Sequence, residues 1–119
     1  MDKKLFPSEL HVMSVVWEEG PSSARRIADV LAERVGWSKT TTYTVIKKCL
    51  EKGALIRTDP GFICTAAITE KEIRRQQTEE LIDRFFGGRA DRLVASLFED
   101  GGLSPDEIAD LRRRIDGMK

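Results

Sequence analysis

The sequence predicts a mainly α-helical chain with one small β-hairpin, and three observations carry that prediction. Apolar residues recur at helical spacing in six separate stretches, and glycine, proline or a capping residue punctuates each of them. Only one short region, on either side of Asp59-Pro60-Gly61, is rich in apolar and β-branched residues flanking a turn.

Each element follows from its residues. The first helix runs from Ser8, with Leu10, Met13, Val16 and Trp17 on one stripe, and Gly20-Pro21 ends it. Ser22 or Ser23 caps a second, in which Ala24, Ile27, Ala28 and Leu31 repeat at i, i+3, i+4 and i+7 before Gly36. Ser38 is the natural cap of a third, where Thr42, Val45, Ile46 and Cys49 keep the spacing as far as Lys52 and the stop at Gly53. Ala54 to Thr58 and Phe62 to Thr65 then make the hairpin. Thr69 and Glu72 have capping-box spacing and open a fourth helix that ends at Gly87-Gly88; a fifth runs from Arg89 to Gly101-Gly102. Ser104 and Glu107 repeat the box, with Pro105 at the first helical position of a sixth.

Three helices and a hairpin have the connectivity of a winged helix-turn-helix, with the third helix as reader and the hairpin as wing. The expected organisation is a winged-helix DNA-binding domain over residues 1–68 and a three-helix dimerisation region over 69–119. In the second part Leu81 pairs with Phe85, Ile82 with Phe86, Leu93 with Leu97, and Val94 with Phe98, while Ile73, Ile108, Leu111 and Ile115 extend the stripes. So short a helical segment buries little surface alone, and a second copy of the chain is the economical cover.

Composition bounds the function. The chain has 119 residues, 40% apolar and 34% charged, with twenty basic side chains against twenty acidic ones. That is room for one ordinary domain or a small one with an appendage, and too little for a barrel or a two-domain dinucleotide enzyme. No apolar run approaches a membrane span, and the opening Met1-Asp-Lys-Lys-Leu-Phe-Pro lacks the apolar core of a secretion signal, so a soluble cytoplasmic protein without a membrane partner is expected. Cys49 and Cys64 cannot make a disulfide framework and, with His11 the only histidine, there is no zinc ligand set; neither metal nor other cofactor is expected. Both cysteines read as small core residues, Trp17 and Trp37 as core anchors, and His11 as a surface or partly buried side chain. The carboxylates lie in caps and on charged faces, and no G-x-S-x-G, P-loop or H-E-x-x-H occurs, which argues against an enzyme.

The neutral total hides a local excess. From Arg34 to Lys52 there are five bases (Arg34, Lys39, Lys47, Lys48 and Lys52) against the single acid Glu51. On the third helix Thr42, Val45, Ile46, Cys49 and Leu50 share the apolar face, and Thr40, Tyr43, Thr44, Lys47 and Lys48 the opposite one. Lysine neutralises phosphate or reaches a guanine edge, threonine offers a hydroxyl and a methyl, and tyrosine bonds phosphate or packs on sugar. Ser38, Lys39, Thr40 and Thr41 add the free N–H groups and positive dipole end of the helix start. That face alone reads equally well as a solvated surface; the helix order and hairpin favour DNA. In the wing, Arg57 can reach phosphate, whereas Asp59 reads as a turn residue.

The residues Leu10-His-Val-Met-Ser-Val-Val-Trp17, Gly20-Pro-Ser-Ser-Ala24 with Ile27, and Trp37-Ser-Lys-Thr-Thr-Thr-Tyr-Thr-Val-Ile46 continuing to Glu51-Lys-Gly-Ala-Leu55 resemble the penicillinase repressor (BlaI/MecI/CopY) family. The resemblance extends to the helical tail and its Leu103-Ser-Pro-Asp-Glu-Ile108 segment; the E-x-x-V-M-x-x-x-W spacing from Glu9 to Trp17 and the Thr40-Thr41 entrance are its most specific parts. It implies a homodimeric transcriptional repressor whose winged helices bind a palindromic, double-stranded operator, with Lys39, Thr40, Thr41, Thr44, Lys47 and Lys48 at the contact positions. In the β-lactamase branch it also implies a sensor protease that cuts an Asn-Phe bond; here that position reads Ser96-Leu97, a departure that argues against cleavage there. The metal-binding C-x-C pairs of the copper-responsive branch have no counterpart in the Asp-Gly-Met-Lys119 end. The wing is shorter than the family's and is expected to lack its usual basic and aromatic residues. The rival from another class is a winged-helix adapter that binds protein and not DNA.

Overall fold

A computed structural model describes residues 4–118. The opening Met1-Asp-Lys and the terminal Lys119, used above in reading the two ends, lie outside that range. Among the described residues the order is α1 (Pro7–Glu19), β1 (Ser22–Ser23), α2 (Ala24–Val35), α3 (Lys39–Glu51), β2 (Leu55–Thr58), β3 (Ile63–Ala66), α4 (Glu70–Phe86), α5 (Ala90–Glu99) and α6 (Pro105–Asp116). The mainly helical class with a small antiparallel sheet is therefore present.

Local chemistry sets most boundaries. Ser23 caps α2 by accepting from Arg26 N–H at 3.0 Å, and Ser38 caps α3 by accepting from Thr41 N–H at 3.1 Å. The α2 helix ends at Gly36, whose φ of 73° lies in the left-handed region that a Cβ disfavours. Both capping boxes form: Glu72 N–H donates to Thr69 Oγ1 at 3.1 Å, and Glu107 N–H to Ser104 Oγ at 3.1 Å while Ser104 N–H returns to Glu107 Oε1 at 2.8 Å.

The sheet holds a strand that sequence periodicity does not show. Its order is β1-β3-β2, so β3 pairs with Ser22–Ser23 as well as with its hairpin partner. A two-residue strand of serines has no periodic signature; only the fold brings it beside Cys64 and Ile63.

The chain divides into two compact units after Arg75. The first buries Met13, Ile27, Leu31 and Ile46 between α1, α2 and α3, and Leu55 and Cys64 of the sheet close one side. Trp17 anchors the end of the sheet region by donating from Nε1 to the Ile68 carbonyl at 2.9 Å. Ile73, expected in the dimerisation region, is 4% exposed and belongs to this core, because the first turn of α4 packs with the winged helix. In the second unit no described residue is buried. Ile82, Phe86, Leu93, Ile108 and Leu111 are half-buried, and Leu81, Phe85, Val94, Leu97, Phe98 and Ile115 are exposed.

Candidate nucleic-acid interface

Helix α3 divides as its sequence spacing requires. Thr42, Val45, Ile46 and Cys49 are buried against the core. Ser38, Lys39, Thr40, Thr41, Thr44, Lys47 and Lys48 are exposed, and Tyr43 is half-buried. Lys39, Thr40, Tyr43, Thr44 and Lys47 together line a shallow, open depression of about 460 Å³. On the buried side, Thr42 Oγ1 has no hydrogen-bond partner among the described residues. On the exposed side, Thr44 Oγ1 donates to the Thr40 carbonyl at 2.9 Å, and Ser38 Oγ donates to Thr41 Oγ1 at 3.0 Å.

Pairing of the bases sharpens the electrostatics. Arg34 donates to Glu18 at 2.7 Å, Arg26 to Glu19 at 2.9 Å, and Lys52 to Glu9 at 2.6 Å. The Arg26 guanidinium, chiefly through its hydrogen bond, holds the Glu19 carboxyl below the ordinary carboxylate range. Two of the five bases counted between residues 34 and 52 are thus matched by carboxylates on α1. Lys39, Lys47 and Lys48 have no ion-pair partner among the described residues, so the uncompensated positive charge of that segment is concentrated on the outer face of α3.

In the wing, Arg57 is engaged on two sides. Arg57 Nε donates to Asp59 at 3.0 Å, and the guanidinium carbon lies 3.7 Å from the Phe62 ring centroid. Asp59 is a partner as well as a turn residue, and Arg57 and Phe62, the one basic and one aromatic side chain of the hairpin, form a stacked pair. No spacing rule links residues 57 and 62: the register pairs Arg57 with Cys64, and Phe62 lies in the turn just before β3 with a positive φ.

Other candidates settle into structural places. Cys49 and Cys64 are fully buried free thiols. His11 is exposed and meets Trp37 edge-on at 5.5 Å, which seats the loop that leads into α3. The described residues include no group of three or more His, Cys, Asp or Glu side chains placed to hold a metal ion. None of their helices is long and apolar enough to cross a membrane.

Residues 5–117 match the family described as penicillinase repressor. The chain belongs to the penicillinase repressor family. Its relatives include the penicillinase repressor of Bacillus licheniformis, 27% identical over 118 residues that span 98% of this chain and 92% of the relative. The methicillin resistance regulatory protein MecI of Staphylococcus aureus (strain N315) is 28% identical over 117 residues, 94% of this chain and 95% of that one. Among solved structures, the monomeric form of Bacillus licheniformis BlaI in complex with the blaP half-operator superposes with a TM-score of 0.53 at 29% identity, over 60% of this chain and 93% of that one. These relatives are named as repressors and regulators and not as enzymes, and the family's winged-helix fold is the one found here.

Proposed function

We propose that this penicillinase repressor family member is a cytoplasmic, homodimeric repressor that binds a palindromic operator in double-stranded DNA through α3. The observation that carries the reading is the segregation of charge: acids on the first unit pair Arg26, Arg34, Lys52 and Arg57, while Lys39, Lys47 and Lys48 remain available beside Thr40, Tyr43 and Thr44. Lysines without carboxylate partners release counterions when they meet phosphate, which supplies affinity, and the hydroxyl-bearing side chains face base edges, which supplies choice. The free N–H groups at the start of α3 add a phosphate position. The solved half-operator complex of a relative supports the DNA partner.

The exposed apolar residues of the second unit support the dimer. Phe85 is 66% and Phe98 50% exposed, an unfavourable exposure that a matching surface on a second copy removes. Two-fold symmetry then sets half-sites about one helical turn or a multiple apart. Cleavage by a sensor protease at Ser96–Leu97 is not part of the proposal. Both residues lie inside α5, where their carbonyls accept from Asp100 and Gly102 N–H at 2.9 Å, so a protease needing an extended segment must first unfold the helix.

The test is a band-shift at fixed salt with the operator region of the gene's own promoter. Lys47→Ala with Lys48→Ala weakens binding, and the salt slope falls in magnitude by about one for each phosphate that is no longer neutralised. Unchanged affinity removes α3 from the interface; absence of any salt-sensitive DNA binding by the wild type favours the protein-binding adapter.

A further inference from the structure

The wing and α3 are joined by a continuous run of ring and cation contacts. Arg57 stacks on the Phe62 ring at 3.7 Å. Phe62 meets Tyr43 edge to face, with centroids 5.9 Å apart and planes at 88°. Lys39 Nζ lies 5.6 Å from the centre of the Tyr43 ring. Phe62 also accepts, through its carbonyl, the Ala24 N–H at the start of α2 at 2.9 Å. One residue thus touches the wing, the second helix and the outer face of the third.

Its backbone is unusual. Phe62 has φ 49° and is the only non-glycine residue with positive φ among the described residues. A Cβ disfavours that conformation, and glycine adopts it without strain. A large ring therefore occupies a position whose backbone suits glycine, and what glycine cannot provide is the ring contact with Arg57 and Tyr43.

Resting on the DNA reading above, we propose that Phe62 is a positioning residue for sequence discrimination: its ring holds Tyr43 in one orientation on the reading face of α3. Tyr43 is clasped between Phe62 and Lys39, and no hydrogen bond to its hydroxyl occurs among the described residues, so that group stays available for a base or phosphate. Fixing the ring before DNA arrives removes the ordering cost that a mobile side chain meets on binding. Arg57, held by Asp59 and stacked on Phe62, acts on DNA through this ring and not as a phosphate contact of its own. The wing contributes to recognition from behind the reading helix.

The experiment uses a duplex enriched by the wild-type full chain from a randomised library, compared with a version whose half-sites are scrambled. Phe62→Gly suits the backbone while deleting the ring, and Phe62→Tyr keeps the ring. Tyr43 is the only tyrosine, so its ring-proton NMR signals report its surroundings directly. Phe62→Gly is expected to stay folded but to melt below the wild type, because the ring also packs against the core, and to shift the Tyr43 signals. Its preference for the enriched duplex falls about three- to tenfold while affinity for the scrambled one and its salt slope stay unchanged, as loss of one aromatic pair implies. Phe62→Tyr, which adds a second tyrosine and is therefore read by binding alone, restores the preference. Equal weakening on both duplexes, or an unchanged preference despite shifted Tyr43 signals, overturns the proposal. A wild type that enriches no duplex overturns the DNA reading and this inference with it, an outcome told apart because it needs no variant.

Discussion

Lys52 Nζ stands 2.6 Å from Glu9 Oε1, in a contact where the carboxylate is 1% and the lysine side chain 19% exposed. The same Oε1 accepts the Phe6 N–H at 2.8 Å, and the ammonium also donates to the Lys4 carbonyl at 2.7 Å and lies 4.3 Å from the Phe6 ring centroid. The pair ties the end of α3 to the start of α1, and so fixes the far end of the helix whose exposed face carries Lys39, Lys47 and Lys48.

Removing one member leaves a charge with its partner gone and little water to replace it. Lys52→Ala is therefore expected to destabilise the first unit by about 3 kcal/mol, the scale found when one side of a buried pair is deleted. The double variant Glu9→Leu with Lys52→Met is expected to recover most of that loss. Thermal or urea unfolding of the three proteins checks both statements; equal stability of wild type and Lys52→Ala would refute them.

Ser38 has two roles that one substitution separates. Its Oγ accepts the Thr41 N–H at 3.1 Å, and aspartate is as good an N-cap as serine. Ser38→Asp is expected to leave the melting temperature unchanged or raised, because the new charge faces the positive end of the helix. The same charge repels phosphate, so DNA affinity falls by about tenfold at low salt and recovers in part as salt screens it. Calorimetry and band-shifts on the same preparation measure the two effects.

Burial pushes the Cys49 thiol up to about 12 and raises that of Cys64. Both stay protonated in the folded protein, so neither reacts with a disulfide reagent at pH 8 until urea is added. For the sign, Cys49 in the unfolded chain loses its proton near the ordinary thiol value of about 8.5. Above that pH the unfolded state binds fewer protons than the folded one, so this residue's contribution is full below it and is lost as pH rises toward 12. Native-state labelling at pH 8 tests the burial, and comparison of Cys49→Ala with wild type from pH 8 upward tests the slope.

The exposed rings of the second unit give a test of assembly. Phe85→Ser with Phe98→Ser removes two large apolar groups that are 66% and 50% exposed in the single chain. It is expected to shift the light-scattering mass from dimer to monomer at micromolar concentration, with little change in the melting of the first unit. A wild type that is already monomeric contradicts the proposed clasp.

The sequence by itself determined whatever depends on neighbours within a few residues. Helix order, the Ser38, Thr69 and Ser104 caps and the two faces of α3 all follow from spacings of three and four, because a helix brings those positions together wherever it lies. Tertiary structure alone decided what joins distant positions. It pairs Ser22 with Cys64, draws Ile73 out of the tail into the core, gives Lys52 to Glu9, and sets Phe62 between Arg57 and Tyr43. These contacts have no period to read, since their partners are chosen by how helices and strands pack. That packing turns a diffuse run of bases into a face of three lysines that, among the described residues, have no ion-pair partners.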